Sequence, residues 1–193
     1  MGKPVGKTTA FARRAQGPAY IPEDRLGQGA ISAMSLTENV ILTGTATLGL
    51  ARKGLLDLTA AESFARRCIS EFKVKAQGPD AIAGDLSGGN LQKFIAGREI
   101  LQGPKVMICA QPTWGVDVGA AAFIRQALID LARQGCAVIV ISEELDELFE
   151  ISNRIAVLAQ GRLSPVRSID STSVEQIGLW MSGLWQEQTH AAA

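Results

Sequence analysis

Three short, almost wholly apolar runs, at residues 106–110, 137–141 and 155–158, set the tightest limit on what this chain can fold into. Strands without alternating polar positions are buried on both faces, as in a mainly parallel sheet covered by helices. Residues 119–134 lie between the first two runs, and Phe123, Ile124, Ala127, Leu128 and Leu131 form one helical stripe there, stopped at Gly135. Strand, helix and strand in that order predict a βαβ crossover.

Upstream, Thr59 and Glu62 have capping-box spacing, and Phe64, Cys68 and Phe72 recur every four residues, which predicts a short amphipathic helix. Gly78-Pro79 breaks that unit. After Gly88 and Gly89 the pattern predicts a second helix from Asn90 to Gln102, closed by Gly103-Pro104. Residues 164–193 are mixed in composition, with residues 177–183 their only helical anchor and a frayed end. The expected class is therefore α/β, with a mainly parallel sheet.

Composition narrows the function. Nineteen basic residues balance nineteen acidic ones, so no overall positive field gathers nucleic acid, and none is expected as a partner. Cys68, Cys109 and Cys136 are odd in number, far apart and set among apolar neighbours, which reads as buried thiols in a reducing compartment. No stretch approaches the roughly 20 apolar residues that cross a bilayer, and residues 1–14 have no signal-peptide core. The expectation is a cytoplasmic protein that reaches a membrane only through a partner.

The chemistry is concentrated in Leu86-Ser87-Gly88-Gly89-Asn90, followed by Gln92-Lys93. Two glycines let the backbone close on an anion, Ser87 can donate a hydroxyl, and a helix starting near Asn90 turns its positive end toward phosphate. A strand, Gln111-Pro112-Thr113-Trp114-Gly115-Val116-Asp117, a helix, another strand, Ser142-Glu143-Glu144-Leu145 and Ser152-Asn153-Arg154 follow in order. This succession resembles the ATP-binding cassette (ABC) ATPases, and Leu86 to Lys93 resembles the signature motif of their simple-sugar and nucleoside importers, with Leu91 where that class usually has Gln. Residues 20–25 with Glu38-Asn39, and residues 177–183, resemble segments of the second nucleotide-binding domain of those importers.

The resemblance implies a P-loop NTPase fold: a nucleotide-binding domain over 1–163, with a helical signature subdomain at about 26–103, and a tail at 164–193. It implies that Ser87, Gly88, Gly89 and Asn90 serve ATP, with Mg²⁺, at a site shared with another nucleotide-binding domain, and that Asp117 lies on a loop communicating between sites. A transmembrane permease is the second implied partner, placing the protein on the inner face of the membrane without insertion. Residues 20–75 correspond loosely to the permease groove, where Ala30, Ile31, Met34, Leu36, Val40, Ile41 and Leu42 are either contact surface or subdomain core.

Departures from the family pattern bear on mechanism. Active members have Asp-Glu before the Pro-Thr pair, for Mg²⁺ and the attacking water; here Ala110 and Gln111 stand there. An alanine offers a metal nothing, and an amide cannot accept a proton from water. Glu143 replaces the switch histidine and adds negative charge where a γ-phosphate already carries it. No catalytic residue is therefore expected, and His190, in the tail, is a poor candidate.

Residues 2–9, Gly-Lys-Pro-Val-Gly-Lys-Thr-Thr, resemble a Walker A loop with one residue too few and only Met1 ahead of them. They read better as a surface turn leading into a helix with Arg13 and Arg14, with the chain beginning inside the domain, without its first strands and phosphate loop. Arg13-Arg14 and Arg66-Arg67 read as solvated helix faces. Three functions stay open: an energising subunit that completes a partner's ATP site, a non-catalytic regulatory module, and an autonomous NTPase using Lys7 and Thr8.

Overall fold

The computed structural model describes residues 6–14 and 16–185. The chain divides into two compact units, Met1–Ile141 and Ser142–Ala193.

In the first unit the elements run α1 (Ala10–Arg14), β1 (Pro18–Ile21), α2 (Leu36–Gly44), β2 (Ala51–Arg52), β3 (Leu55–Leu56), α3 (Leu58–Glu71), α4 (Gly88–Ile100), β4 (Val106–Ala110), α5 (Val118–Arg133) and β5 (Ala137–Ile141). Strands β1, β4 and β5 form a parallel sheet with β4 central, Tyr20 opposite Ile108 and Ile108 opposite Ile139. The βαβ unit predicted from the apolar runs is β4-α5-β5. Helices α4 and α5 pack on the sheet and on each other, and α2 and α3 build outward from α4. The core centres on Ile21, Phe94, Ile95, Met107, Ile124 and Leu128, all almost fully buried.

Burial on both faces does not hold for β5. Ala137, Ile139 and Ile141 are exposed while Val138 and Val140 are half-buried. Among the described residues β5 pairs only with β4, which makes it an edge strand, and only its Val138 and Val140 face packs against the core. An unbroken apolar run does not reveal this, because the side chains alternate faces whatever their polarity.

The start of α3 is also corrected. Its N-cap is Asp57, whose side chain accepts from the Ala60 backbone N–H at 2.9 Å, leaving Thr59 inside the first turn. Ala61, Ala65 and Cys68 make the buried stripe, and Arg66 and Arg67 pair with Glu62 and Glu71 on the outer face. α4 begins at Gly88, two residues before the predicted start. All three cysteines are buried, and none forms a disulfide among the described residues.

The α2 segment is held by polar groups. Ser35 and Glu38 form a reciprocal capping box. Buried Asn39 donates to the carbonyls of Ile31, Met34 and Ser35 and accepts from the Ile31 N–H. Ala30, Leu36 and Val40 are buried, which assigns them to the core, whereas Ile31 and Leu42 stay exposed. Fully buried Arg98 donates to Glu99, to the Asn39 carbonyl and to the Gly29 carbonyl. Arg14 reaches the other oxygen of buried Glu99 at 3.1 Å, so it is an anchor and not a solvated charge.

In the second unit α6 (Leu145–Ile151), β6 (Arg154–Ile155), β7 (Leu158–Ala159), β8 (Arg162–Leu163), β9 (Arg167–Ser168) and α7 (Val174–Met181) surround Ile155, Ile177 and Trp180. The third apolar run is not one parallel strand. It is shared between two antiparallel ribbons, β6 with β9 and β7 with β8. Gln160 and Gly161, both at positive φ, reverse the chain directly after Ala159, as a two-residue hairpin demands.

Candidate functional site

Ser87 is the N-cap residue of α4, with extended backbone angles and no side-chain cap bond. The first amides of this 13-residue helix therefore lack the usual bond from the N-cap side chain. The Ser87 Oγ instead accepts from Asn90 Nδ2 at 2.9 Å. Asn90 Oδ1 in turn accepts from the Lys75 backbone N–H at 2.9 Å. One asparagine thus fixes the serine rotamer and ties the turn to the segment after α3, while the serine keeps its own proton for an incoming oxygen.

The glycine pair has a geometric cause. A Cβ at Gly88 would lie 2.7 Å from Arg25 Nη1, and one at Gly89 would lie 3.2 Å from Asp117 Oδ2. The Arg25 guanidinium also reaches the Gly115 carbonyl at 3.5 Å, so it lies between the turn at Ser87 and the loop before α5. Its desolvation lowers its pKa from the ordinary arginine value. Arg25 lies in the 20–25 segment that resembles the family, but nothing in the sequence marks Gly88 and Gly115 as its neighbours.

Asp117 caps α5, accepting from the Ala120 N–H at 2.9 Å. That bond is the main reason its carboxyl is held below the usual carboxylate range, with Lys93 a smaller contributor. The positive end of α5 is thereby capped by its own N-cap carboxylate. From α4, buried Gln92 donates to the Pro112 carbonyl at 2.8 Å, linking the signature helix to the loop after β4.

Ser87, Gly88, Gly89, Asn90 and Asp117 are therefore brought together. Ala110 ends β4, and Gln111 follows with φ +49° and its N–H on the Ile141 carbonyl. Glu143 is exposed in the second unit, beside Ser142, whose Oγ accepts from the Glu144 N–H. Among the described residues no group of three His, Cys, Asp or Glu could hold a metal. His190 and residues 2–5 lie outside the described residues. Of the Walker-like run, Thr9 Oγ1 accepts from the Ala12 N–H, Thr8 Oγ1 from Arg13 Nε, and the Gly6 carbonyl from Arg13 Nη2. These groups organise the start of α1.

No family model matches the chain. Among solved structures, the ATP-binding cassette MJ0796 bound to ADP and Pi superposes with a TM-score of 0.68 at 18% identity, over 84% of this chain and 68% of that one. Curated relatives are nearer in sequence. The nucleoside import ATP-binding protein NupA of Lactococcus lactis subsp. cremoris (strain MG1363) is 39% identical over 168 residues, 87% of this chain and 33% of the relative. The chain belongs to the ABC ATPase family. The guanosine import ATP-binding protein NupO of Bacillus subtilis (strain 168) is 35% identical over 191 residues, 99% of this chain and 38% of that protein. This ABC chain thus spans about a third of the length of the curated relatives it matches. Among its described residues no helix is long and apolar enough to cross a membrane.

Proposed function

We propose that this chain works in an ABC importer for simple sugars or nucleosides, supplying its signature turn to a nucleotide held by another nucleotide-binding domain. One observation carries the reading: Ser87, oriented by Asn90, stands at the uncapped start of α4 with its hydroxyl proton uncommitted. Hydroxyl, glycine amides and helix end together suit a terminal phosphate. The import proteins among its relatives support the transport setting, and in that setting a permease would hold the chain at the cytoplasmic face.

ATP with Mg²⁺ would supply the cleavable phosphate. Ser87, Gly88, Gly89 and Asn90 fit the phosphate side of such a site, with Arg25 and Asp117 holding the two loops in register. Ala110 and Gln111 do not fit the metal and proton-accepting roles, so the chain does not activate water itself. Those two positions equally favour a second reading, a non-catalytic regulatory module that associates with a partner regardless of nucleotide.

The test is the ATPase rate of a catalytically complete importer nucleotide-binding domain with and without this chain. Stimulation is expected with the native chain and none with Ser87→Arg, which fills the turn with a bulky cation. An unchanged partner rate removes the signature reading, and nucleotide-independent association would then favour the regulatory one.

A further inference from the structure

We infer that Gln92 is a positioning residue: its side-chain amide clamps the loop between β4 and α5 to the signature helix, and so sets where Trp114 to Asp117 stand beside Ser87. The effect on a partner rests on the function proposed above, whereas the clamp itself is a property of this chain alone.

The loop is poorly held by its own backbone. Gln111 leaves β4 in the left-handed region, at φ +49°, which turns the chain out of the sheet, and Pro112 has no N–H with which to rejoin a ladder. The backbone bonds inside the loop are long, 3.2 Å from the Trp114 nitrogen to the Gln111 carbonyl and 3.4 Å from the Val116 nitrogen to the Thr113 carbonyl. Gln92 Nε2, by contrast, donates to the Pro112 carbonyl at 2.8 Å, between two buried residues. The Arg25 tie to the Gly115 carbonyl is 3.5 Å long and open to water. The glutamine bond is therefore the firmer of the two.

The orientation of the amide follows from its partner. A carbonyl only accepts, so the nitrogen of Gln92 must face Pro112 and its oxygen must face away. That oxygen is buried and has no hydrogen-bond partner among the described residues. A side chain that merely filled this space would do so better as methionine or leucine, which leave no acceptor unpaired. What the amide contributes here is its donor toward Pro112.

Its place on α4 gives the bond its reach. Gln92 lies four residues after Gly88 and three after Gly89, on the helix face that meets Arg25 and Asp117. Any change in the spacing between α4 and Pro112 is passed along the loop to Gly115, beside Arg25, and to Asp117, whose Oδ2 lies 3.2 Å from where a Cβ at Gly89 would stand.

The experiment compares ¹⁵N amide spectra of the native chain, Gln92→Met and Gln92→Glu from about pH 5 to about pH 8, since a buried carboxyl titrates above its ordinary range. Methionine keeps the volume and removes the donor, so the amides of Thr113 to Asp117 should shift while those of α2 and β5 stay in place. A carboxyl at this position donates to the Pro112 carbonyl when protonated and repels it when ionised. In Gln92→Glu the loop amides should therefore lie near their native positions at low pH and move away as pH rises. The native chain and Gln92→Met should lack that step, which separates it from the titration of Asp117 and the other native carboxyls. In the mixed-protein ATPase assay, Gln92→Met should lower partner stimulation about three- to tenfold.

Loop amides that ignore Gln92→Met, or that titrate in Gln92→Glu no more than in the native chain, overturn the inference, as does undiminished stimulation by a folded Gln92→Met. If Gln92→Met does not fold, the pH series on Gln92→Glu decides alone. Loop shifts without any stimulation by the native chain would remove the function proposed above and leave the clamp standing. Stimulation by the native chain without loop shifts in the variants would do the reverse.

Discussion

Asn90 Nδ2 lies 2.9 Å from Ser87 Oγ, so the hydroxyl at the head of α4 is held by an acceptor contact and retains its proton. Replacing Asn90 by Asp inverts this relationship. A carboxylate can only accept, so Ser87 would turn its proton inward, and a negative charge would join a turn suited to phosphate. The expected outcome for Asn90→Asp is a loss of partner stimulation of at least about tenfold, with Asn90→Ala between it and the native chain. Steady-state ATPase measurements on the mixed proteins check the order; a native-like Asn90→Asp rate would contradict it.

Arg25 and Gly88 make a second pair. A methyl at position 88 would meet Arg25 Nη1 at 2.7 Å, but the clash falls on the end of a flexible side chain. Gly88→Ala should therefore cost little stability, within about 1 kcal/mol. It should nevertheless push the guanidinium off the Gly115 carbonyl and reduce partner stimulation. Arg25→Met should reproduce the functional loss. Melting curves read beside stimulation separate the two effects, and a large fall in Tm for Gly88→Ala would show that Arg25 cannot yield.

What the sequence made legible follows from how local each signal is. The crossover from Val106 to Ile141 and the helix start after Ser87 are written in contiguous residues; the crossover appears in the structure as read, and the helix begins two residues earlier than read. The open face of β5 depends on which elements pack over the sheet there, which Ile139 and Ile141 do not encode. The splitting of residues 155–158 depends on a reversal at Gln160-Gly161, whose effect lies beyond the run itself. Arg25 and Arg14 were hidden for a different reason. Their partners are far away in sequence, Gly115 for one and Glu99 for the other. An arginine beside polar neighbours looks solvated until the chain folds.

The buried Arg98–Glu99 pair gives a strong stability prediction. Arg98 satisfies Glu99 and the carbonyls of Asn39 and Gly29. Arg98→Met should destabilise by about 3–5 kcal/mol, because it leaves a buried carboxylate with Arg14 alone and two carbonyls without this donor. The double variant Arg98→Met with Glu99→Leu should recover part of that loss by removing the orphaned charge. Urea unfolding of the three proteins measures the difference; a double variant no better than the single one would place the cost in the carbonyls.

Cys68 supplies a prediction in pH. Burial pushes its thiol from 9.0 up to about 12, opposed mainly by nearby Arg98. Below the ordinary thiol value both folded and unfolded chains carry the proton, and this residue adds no pH dependence. As pH rises through roughly 9 to 12 the unfolded chain gives up the proton while the folded one keeps it, so stability falls by about 1.4 kcal/mol per unit. Replacing Cys68 by Ala should flatten that part of the stability curve relative to the native protein, whatever its effect at neutral pH. The same burial predicts that Cys68 resists alkylation in the folded chain near pH 8 and reacts once urea unfolds it. Peptide mapping after brief labelling reads the second effect. Rapid labelling of native Cys68 would mean that the packing of α3 against α4 opens far more often than its buried stripe implies.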